Sequence, residues 1–294
     1  MRIWLPLAIL LSVAWLLLVS ILASRGGDNA AGSATPQAGD AARLLQQSQA
    51  AMLELDSFQA EMTTSWEGRE DTYRVAWQSP DSFHVLSPYV VAHYESGQET
   101  EITDYGFVEA IAVGDRIYVR QCAAEDEDCQ PWEESARDGL YVPAFAGESL
   151  DPMWTIELLG LMSDAQIVGQ EDVEGVACTR IRGRANILRA MAQSWRRAEE
   201  TRGPINWGEE CTATATEPGG ETQEECHSTT LDEYIALHED SLREQDESPA
   251  SVEVWVGRDD KLLRRLEFPL VADQPAGGYF ALSQFNEVTV QPPK

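Results

Sequence analysis

Ser57-Phe-Gln-Ala-Glu-Met-Thr-Thr-Ser-Trp-Glu-Gly-Arg-Glu-Asp-Thr-Tyr-Arg-Val-Ala-Trp77 is the stretch that decides the fold. Phe58, Ala60, Met62 and Trp66 alternate with Gln59, Glu61, Thr63 and Ser65. That period of two marks a strand with one buried and one wet face. After a turn at Gly68, a second run sets Tyr73, Val75 and Trp77 against Thr72, Arg74 and Gln78. Two such runs joined by a short polar turn predict an antiparallel hairpin. A face built of Phe, Met, Trp, Tyr and Trp needs a large cover, and the rest of the chain supplies it.

Downstream, the same signal recurs. Glu109, Ile111 and Val113 lead into Gly114-Asp115, and Ile117, Tyr118 and Val119 lead out. Further hairpins are expected from Ala165 to Arg184 across Glu174-Gly175, and from Val252 to Phe268 across Gly257-Arg-Asp-Asp260. Phe83 to Leu86 reads as a short strand stopped by Ser87-Pro88, and Phe280 to Val290 as the strand that closes the sheet. Helices are predicted from Asp40 to about Leu55, after the cap Asp151-Pro152, around Ile187 to Trp195, and from the capping box Thr230-Leu-Asp-Glu233 to Leu242. This is an α+β chain with about 9–11 antiparallel strands and four helices, one at the start and the others inserted later.

The N-terminal part divides into residues 1–24, a transmembrane anchor or signal segment, and 25–40, a Gly/Ala/Ser-rich flexible linker. Residues 41–294 form the folded domain, with 203–228 as an inserted loop. Ile3 to Ala23 is apolar except for Pro6 and two serines, longer than the about 7–15 residues of a signal core and near the roughly 20 of a spanning helix. A cut after Ser24 would place Leu22 where a small residue belongs. The reading is a single-pass anchor with the domain on the extracytoplasmic side, and secretion after cleavage is the alternative. Five cysteines agree with an oxidising compartment: Cys122 with Cys129 and Cys211 with Cys226 are read as disulfides stapling local loops, and Cys178 as a buried free thiol.

A net charge of −29 argues against nucleic acid, whose phosphates need Lys and Arg, and against anionic lipid headgroups as a peripheral docking surface. No nucleophile elbow, zinc-protease helix, Walker loop or dinucleotide fingerprint occurs, and His84, His93, His227 and His238 are scattered. The acidic loop between Cys122 and Cys129 lacks calcium-loop spacing. His227 beside Cys226 suggests zinc only with a fourth ligand, so a disulfide is preferred. The expectation is therefore no catalytic residue, no metal and no cofactor. A bulky apolar sheet face under amphipathic helices encloses either a packed core or a ligand cavity, and ordinary core is the more frequent outcome.

The order of several motifs narrows that choice: Ser57-Phe58-Gln-Ala after a helix, Trp77-Gln-Ser-Pro80-Asp81, and Gly114-Asp115-Arg-Ile-Tyr118-Val. Asp172-Val-Glu-Gly175-Val-Ala-Cys178-Thr-Arg-Ile, Val254-Trp255-Val-Gly257-Arg-Asp-Asp-Lys-Leu262 and Phe285-Asn286-Glu-Val-Thr-Val follow. In this order, over about residues 41–291, the chain resembles the LolA-like bacterial lipoprotein-carrier superfamily, including the mycobacterial LppX/LprG-type lipid-binding lipoproteins. The resemblance implies an unclosed antiparallel half-barrel whose concave face is covered by helices, holding acyl chains without catalysis in the cell envelope. Two features depart from the pattern. Arg25 stands where a lipidated cysteine would follow Leu22-Ala23-Ser24, so a protein anchor replaces a lipid one. The 203–228 insertion and the cysteine pairs are also outside it, and no arginine matches the carrier's lid-latching position.

The resulting expectation is a membrane-anchored protein, not an enzyme, that binds or carries a lipid or acylated protein. The expected cavity lining is Phe58, Met62, Trp66, Tyr73, Val75 and Trp77 of the first hairpin, with Ile111, Val119 and Trp255 from later strands. Met153, Trp154, Leu158, Leu161, Met191, Trp195 and Ile235 are expected from the helices. The alternative is an envelope-stress sensor or regulatory domain that binds an anti-sigma factor or another membrane protein.

Overall fold

In register, the apolar residues of successive strands fall into continuous rows. One row runs Ile167, Ile181, Val254, Leu266, Phe280, Met62, Tyr73. Another runs Leu282, Ala60, Val75, Val85, Ala110, Val119, and a third Phe58, Trp77, Phe83, Ala112, Ile117. Cross-strand neighbours on one face lie close enough to pack, so each row is a strip of core.

The computed structural model describes residues 38–66, 69–80, 82–95, 98–124, 127–136, 152–203, 209–215, 222–269 and 277–294. Its helices are α1 (Ala38–Leu53), α2 (Met153–Leu161), α3 (Ile187–Arg202), α4 (Leu231–Leu237) and α5 (Glu239–Glu247). The first strands are β1 (Ser57–Trp66), β2 (Arg69–Gln78), β3 (Ser82–Glu95), β4 (Gln98–Val113), β5 (Arg116–Ala124), β6 (Glu127–Cys129) and β7 (Glu133–Ala136). There follow β8 (Ser163–Val173), β9 (Val176–Ala185), β10 (Glu209–Ala215), β11 (Thr222–Ser228), β12 (Ala250–Gly257), β13 (Leu263–Pro269) and β14 (Gly277–Ser283).

Twelve strands form one antiparallel sheet, in the order β6-β5-β4-β3-β2-β1-β14-β13-β12-β9-β8 with β7 paired to β5. Among the described residues the path does not close on itself, and with helices packed on one face the architecture fits an α+β half-barrel. The opposite face carries a different row: Arg180, Trp255, Arg265, Ala281, Glu61, Arg74, Leu86, Glu109, Arg120. From Arg265 onward opposite charges alternate along it, and Arg74 pairs with Glu61 at 3.3 Å and Arg120 with Glu109 at 2.6 Å. His84 joins Glu109 at 2.6 Å. Burial pushes the Glu109 carboxyl up, but hydrogen bonds from His84 and Arg120 outweigh it and hold the group below its ordinary range.

Between β7 and β8 the chain passes from one end of the sheet to the other, and α2 lies on that passage. Helix α2 is apolar except for Thr155 and Glu157, a composition that calls for burial on nearly every side. Trp154 to Leu159 are all buried. The Trp154 ring meets Phe268 and Phe280 edge-on, at 5.6 and 5.4 Å between centroids. Thr155 keeps its hydroxyl satisfied there by donating to the Pro152 carbonyl at 2.6 Å. Asn186 caps α3, accepting from the Arg189 amide, while its own amide nitrogen donates to the Leu242 carbonyl and to Asp246, tying α3 to α5.

Several expectations change. The main sheet has twelve strands, not 9–11, because the short β6 and β7 add to the β5 end. Strand β3 does not stop at Ser87-Pro88. Its pairing with β2 ends at Leu86, so Pro88, whose missing N–H would break an inner ladder, sits where β3 pairs only with β4 among the described residues. The predicted closing strand to Val290 ends at Ser283. The single helix from Leu231 breaks at His238 into α4 and α5, although its capping box at Thr230 and Glu233 is present. Helix α1 begins at Ala38, inside the predicted linker, with Asp40 in its first turn rather than at its cap.

Cys122 and Cys129, direct partners on β5 and β6, form the expected disulfide. Cys178 is a buried free thiol, its pKa raised by desolvation. The 203–228 insertion contains the hairpin β10-β11, where Cys211 and Cys226 are opposite in backbone register. Their side chains lie outside the described residues, as do the anchor segment 1–24 and residues 25–37. Among the described residues, no helix is long and apolar enough to cross a membrane.

Candidate functional site

The helices fill most of the covered face. Where α1 ends and α3 approaches the β2-β3 turn, they leave a cleft of about 240 Å³. Leu53 and Leu55 enter it from the end of α1, Trp77 and Phe83 from adjoining strands, and Ser79 and Pro80 from the turn between them. Met153 opens α2 on another side, and α3 contributes Ser194, Arg197, Ala198 and Thr201. The turn position follows from local chemistry: Pro80 ends the β2 ladder, Ser79 N–H donates to the Asp56 carbonyl at 2.8 Å, and Trp77 and Phe83 pair directly across it.

The cleft has two kinds of wall. Trp77, Phe83, Leu55 and Met153 make it apolar toward the sheet. Toward α3 it is polar, and Arg197 is the one cation among its described lining residues. The guanidinium is aimed by Glu157 of α2, which accepts from Nε at 2.5 Å. Glu157 is almost fully buried, with 5% of its side chain exposed, whereas Arg197 is 45% exposed. Gln49 of α1 reaches the other Glu157 oxygen at 3.5 Å. Three helices thus meet at one buried carboxylate, directly behind the cleft wall.

Of the sixteen residues expected to line a cavity, Trp77 and Met153 do so. Phe58, Met62, Val75, Trp154, Leu158 and Trp195 belong to the packed core, and Tyr73, Val119, Leu161, Met191 and Ile235 are half-buried against it. Trp66 falls on β1, with its side chain outside the described residues. Ile111 and Trp255 are corrections. Ala110 and Ala112 face the helices, so Ile111 between them faces away, and Trp255 does the same between Val254 and Val256. Trp255 packs instead between Arg180 and Arg265, at 5.1 and 5.3 Å from its ring, and its indole N–H donates to Glu171 at 3.1 Å. The helix from Leu231, also expected at the cavity, rests on α3 through Tyr234 and Trp195 at 5.5 Å.

The residues missed are instructive. Phe83 carried a strand signal, but its position beside Trp77 depended on the turn. By sequence alone Arg197 falls on the polar side of its helix and reads as solvent-facing, which leaves out what α2 places next to it. Among the described residues, no group of three or more His, Cys, Asp or Glu side chains is placed to hold a metal ion.

No protein-family model and no curated protein matches the chain. Among solved structures it is similar to LprF from Mycobacterium bovis, at 13% identity and a TM-score of 0.49 over 88% of this chain and 99% of that one. It is similar also to the Mycobacterium tuberculosis lipoprotein LppX, at 15% identity and 0.42 over 87% and 100%. A third is the LolA superfamily protein NE2245 from Nitrosomonas europaea, at 9% and 0.26 over 85% and 94%. These names fall in the group to which the sequence motifs point.

Proposed function

We propose that this chain is a non-enzymatic carrier of the cell envelope, anchored by its N-terminal apolar segment, that holds an acyl chain of a lipid or acylated protein under its helices. The observation that carries this reading is the cleft. There part of the apolar sheet face is left open, and the floor of Trp77, Phe83 and Met153 is apolar but for the Trp77 indole N–H. Each buried methylene contributes about 0.8 kcal/mol, so even a short acyl segment gives useful affinity. At about 240 Å³ the cleft is smaller than the roughly 300–1,000 Å³ of small-molecule sites. It takes a short segment as it stands, and a longer chain requires the helices to move outward. The extracytoplasmic placement draws on the 3–23 apolar run and on the Cys122–Cys129 disulfide.

Native mass spectrometry of residues 36–294, which hold every described element, tests the reading. A discrete co-purified mass that extracts into organic solvent as an acyl lipid supports it. A bare polypeptide mass, unchanged after incubation with phospholipid, sinks it and turns attention to a protein partner in the envelope.

A further inference from the structure

We propose that the ligand is an amphiphile with an anionic head, its chain lying over Trp77 and Phe83 and its carboxylate or phosphate seated on Arg197. This rests on the acyl-binding reading above and adds the chemistry of the head. Arg197 belongs to the cleft wall, and its exposure leaves the guanidinium open to an incoming group. Glu157 accepts from the Nε side. The guanidinium is thus held in a fixed orientation by a carboxylate that is itself buried, while 45% of the arginine side chain stays exposed. An arginine clamped on one edge is pre-organised to offer paired N–H groups on the other, the geometry that suits carboxylate and phosphate oxygens.

The charge of the whole chain runs against an anion, at −29. That field is screened beyond about 8 Å at physiological ionic strength, whereas the contact at Arg197 is direct and partly desolvated. The local pairing therefore decides the preference. The apolar wall fixes the chain end of the ligand and Arg197 fixes the head, so the two-sided cleft selects an amphiphile over a plain hydrocarbon.

The test uses the full chain in lipid nanodiscs at pH 8, with a diazirine-bearing decanoic acid and its methyl ester as probes. Photolabelling is read by peptide mapping at the segments carrying Trp77, Phe83 and Met153. A hydrogen bond to a charged group predicts that the acid half-saturates these peptides at about a tenfold lower concentration than the ester. The same acid-to-ester ratio is measured in an Glu157→Gln/Arg197→Gln chain, so that unequal partition of the probes into lipid cancels. The ratio is expected to fall there about tenfold. Equal ratios in the two chains overturn the head assignment while leaving acyl binding intact. Absence of cleft labelling by either probe overturns the acyl-binding reading itself. Should the double variant not fold, Arg197→Lys gives the second ratio, with a partial fall expected and no change counting against the proposal.

Discussion

Arg197 of α3 and Glu157 of α2 form an ion pair of unequal burial, 45% against 5% exposed, joined at 2.5 Å. The carboxylate depends on the guanidinium far more than the reverse. Removing Arg197 strands a buried charge, which costs about 3–5 kcal/mol where both partners are buried. With water reaching the arginine side, Arg197→Ala is expected to destabilise by about 2–3 kcal/mol. Converting Glu157 to Leu in the same chain should recover most of the loss. Urea unfolding of the single and double variants measures both, and an unchanged midpoint in the single variant would show that Glu157 is satisfied by other means.

Trp154 is the plug of the covered face, fully buried and edge-on to two phenylalanines. Trp154→Ala is expected to cost about 3–5 kcal/mol through lost burial and the cavity left behind. Differential scanning calorimetry against the parent gives the value. A shift equivalent to less than about 1 kcal/mol would mean that α2 does not pack as described.

Trp255 separates the two faces of the sheet. Because it lies away from the cleft, Trp255→Phe should leave acyl labelling unchanged and cost about 1 kcal/mol, from the indole hydrogen bond and weaker stacking with Arg180 and Arg265. Trp77→Ala should reduce the labelling. If the two variants behaved the other way round, the phase of the sheet would be inverted.

Asp246 gives a pH signature. Hydrogen bonds from Arg189 and then Asn186 lower its pKa from 3.8 to about 2. A depressed carboxylate stabilises the fold above its unfolded pKa and loses that contribution as pH falls through the folded value. The difference in urea midpoint between Asp246→Asn and the parent should therefore be constant from pH 7 to about 5. It should shrink below about pH 4 and close near pH 2. A difference that instead grew on acidification would contradict the Arg189 pairing.

The Cys122–Cys129 bridge spans seven residues. A loop of that size restrains the unfolded chain by about 2–3 kcal/mol. Replacing both cysteines with alanine should lower stability by that amount, read from denaturant titration in oxidising buffer. No change on replacement would show that β6 is held by its ladder alone.

The strand-forming runs were legible because period-two alternation is a local property. Phe58, Met62, Val75 and Trp77 announce a buried face whatever lies on top of them, and the mostly apolar α2 announces burial from nearly every side. The phase of a strand is less local. Ile111 is the bulky residue of its segment, yet the small Ala110 and Ala112 face the helices, because their partners Val85 and Phe83 already fill that layer.

Alternation, the Thr230–Glu233 capping box and the nearby cysteine pair Cys122–Cys129 were thus determined by the sequence itself, since each arises between residues a few positions apart. The cleft was decided only by the tertiary structure. Leu53, Phe83, Met153 and Arg197 come from separate parts of the chain, and the passage of α2 across the sheet is what brings them together. The role of Arg197 arises the same way: a helix residue that reads as solvent-facing becomes the wall of a site once Glu157, forty residues away in sequence, is buried against it.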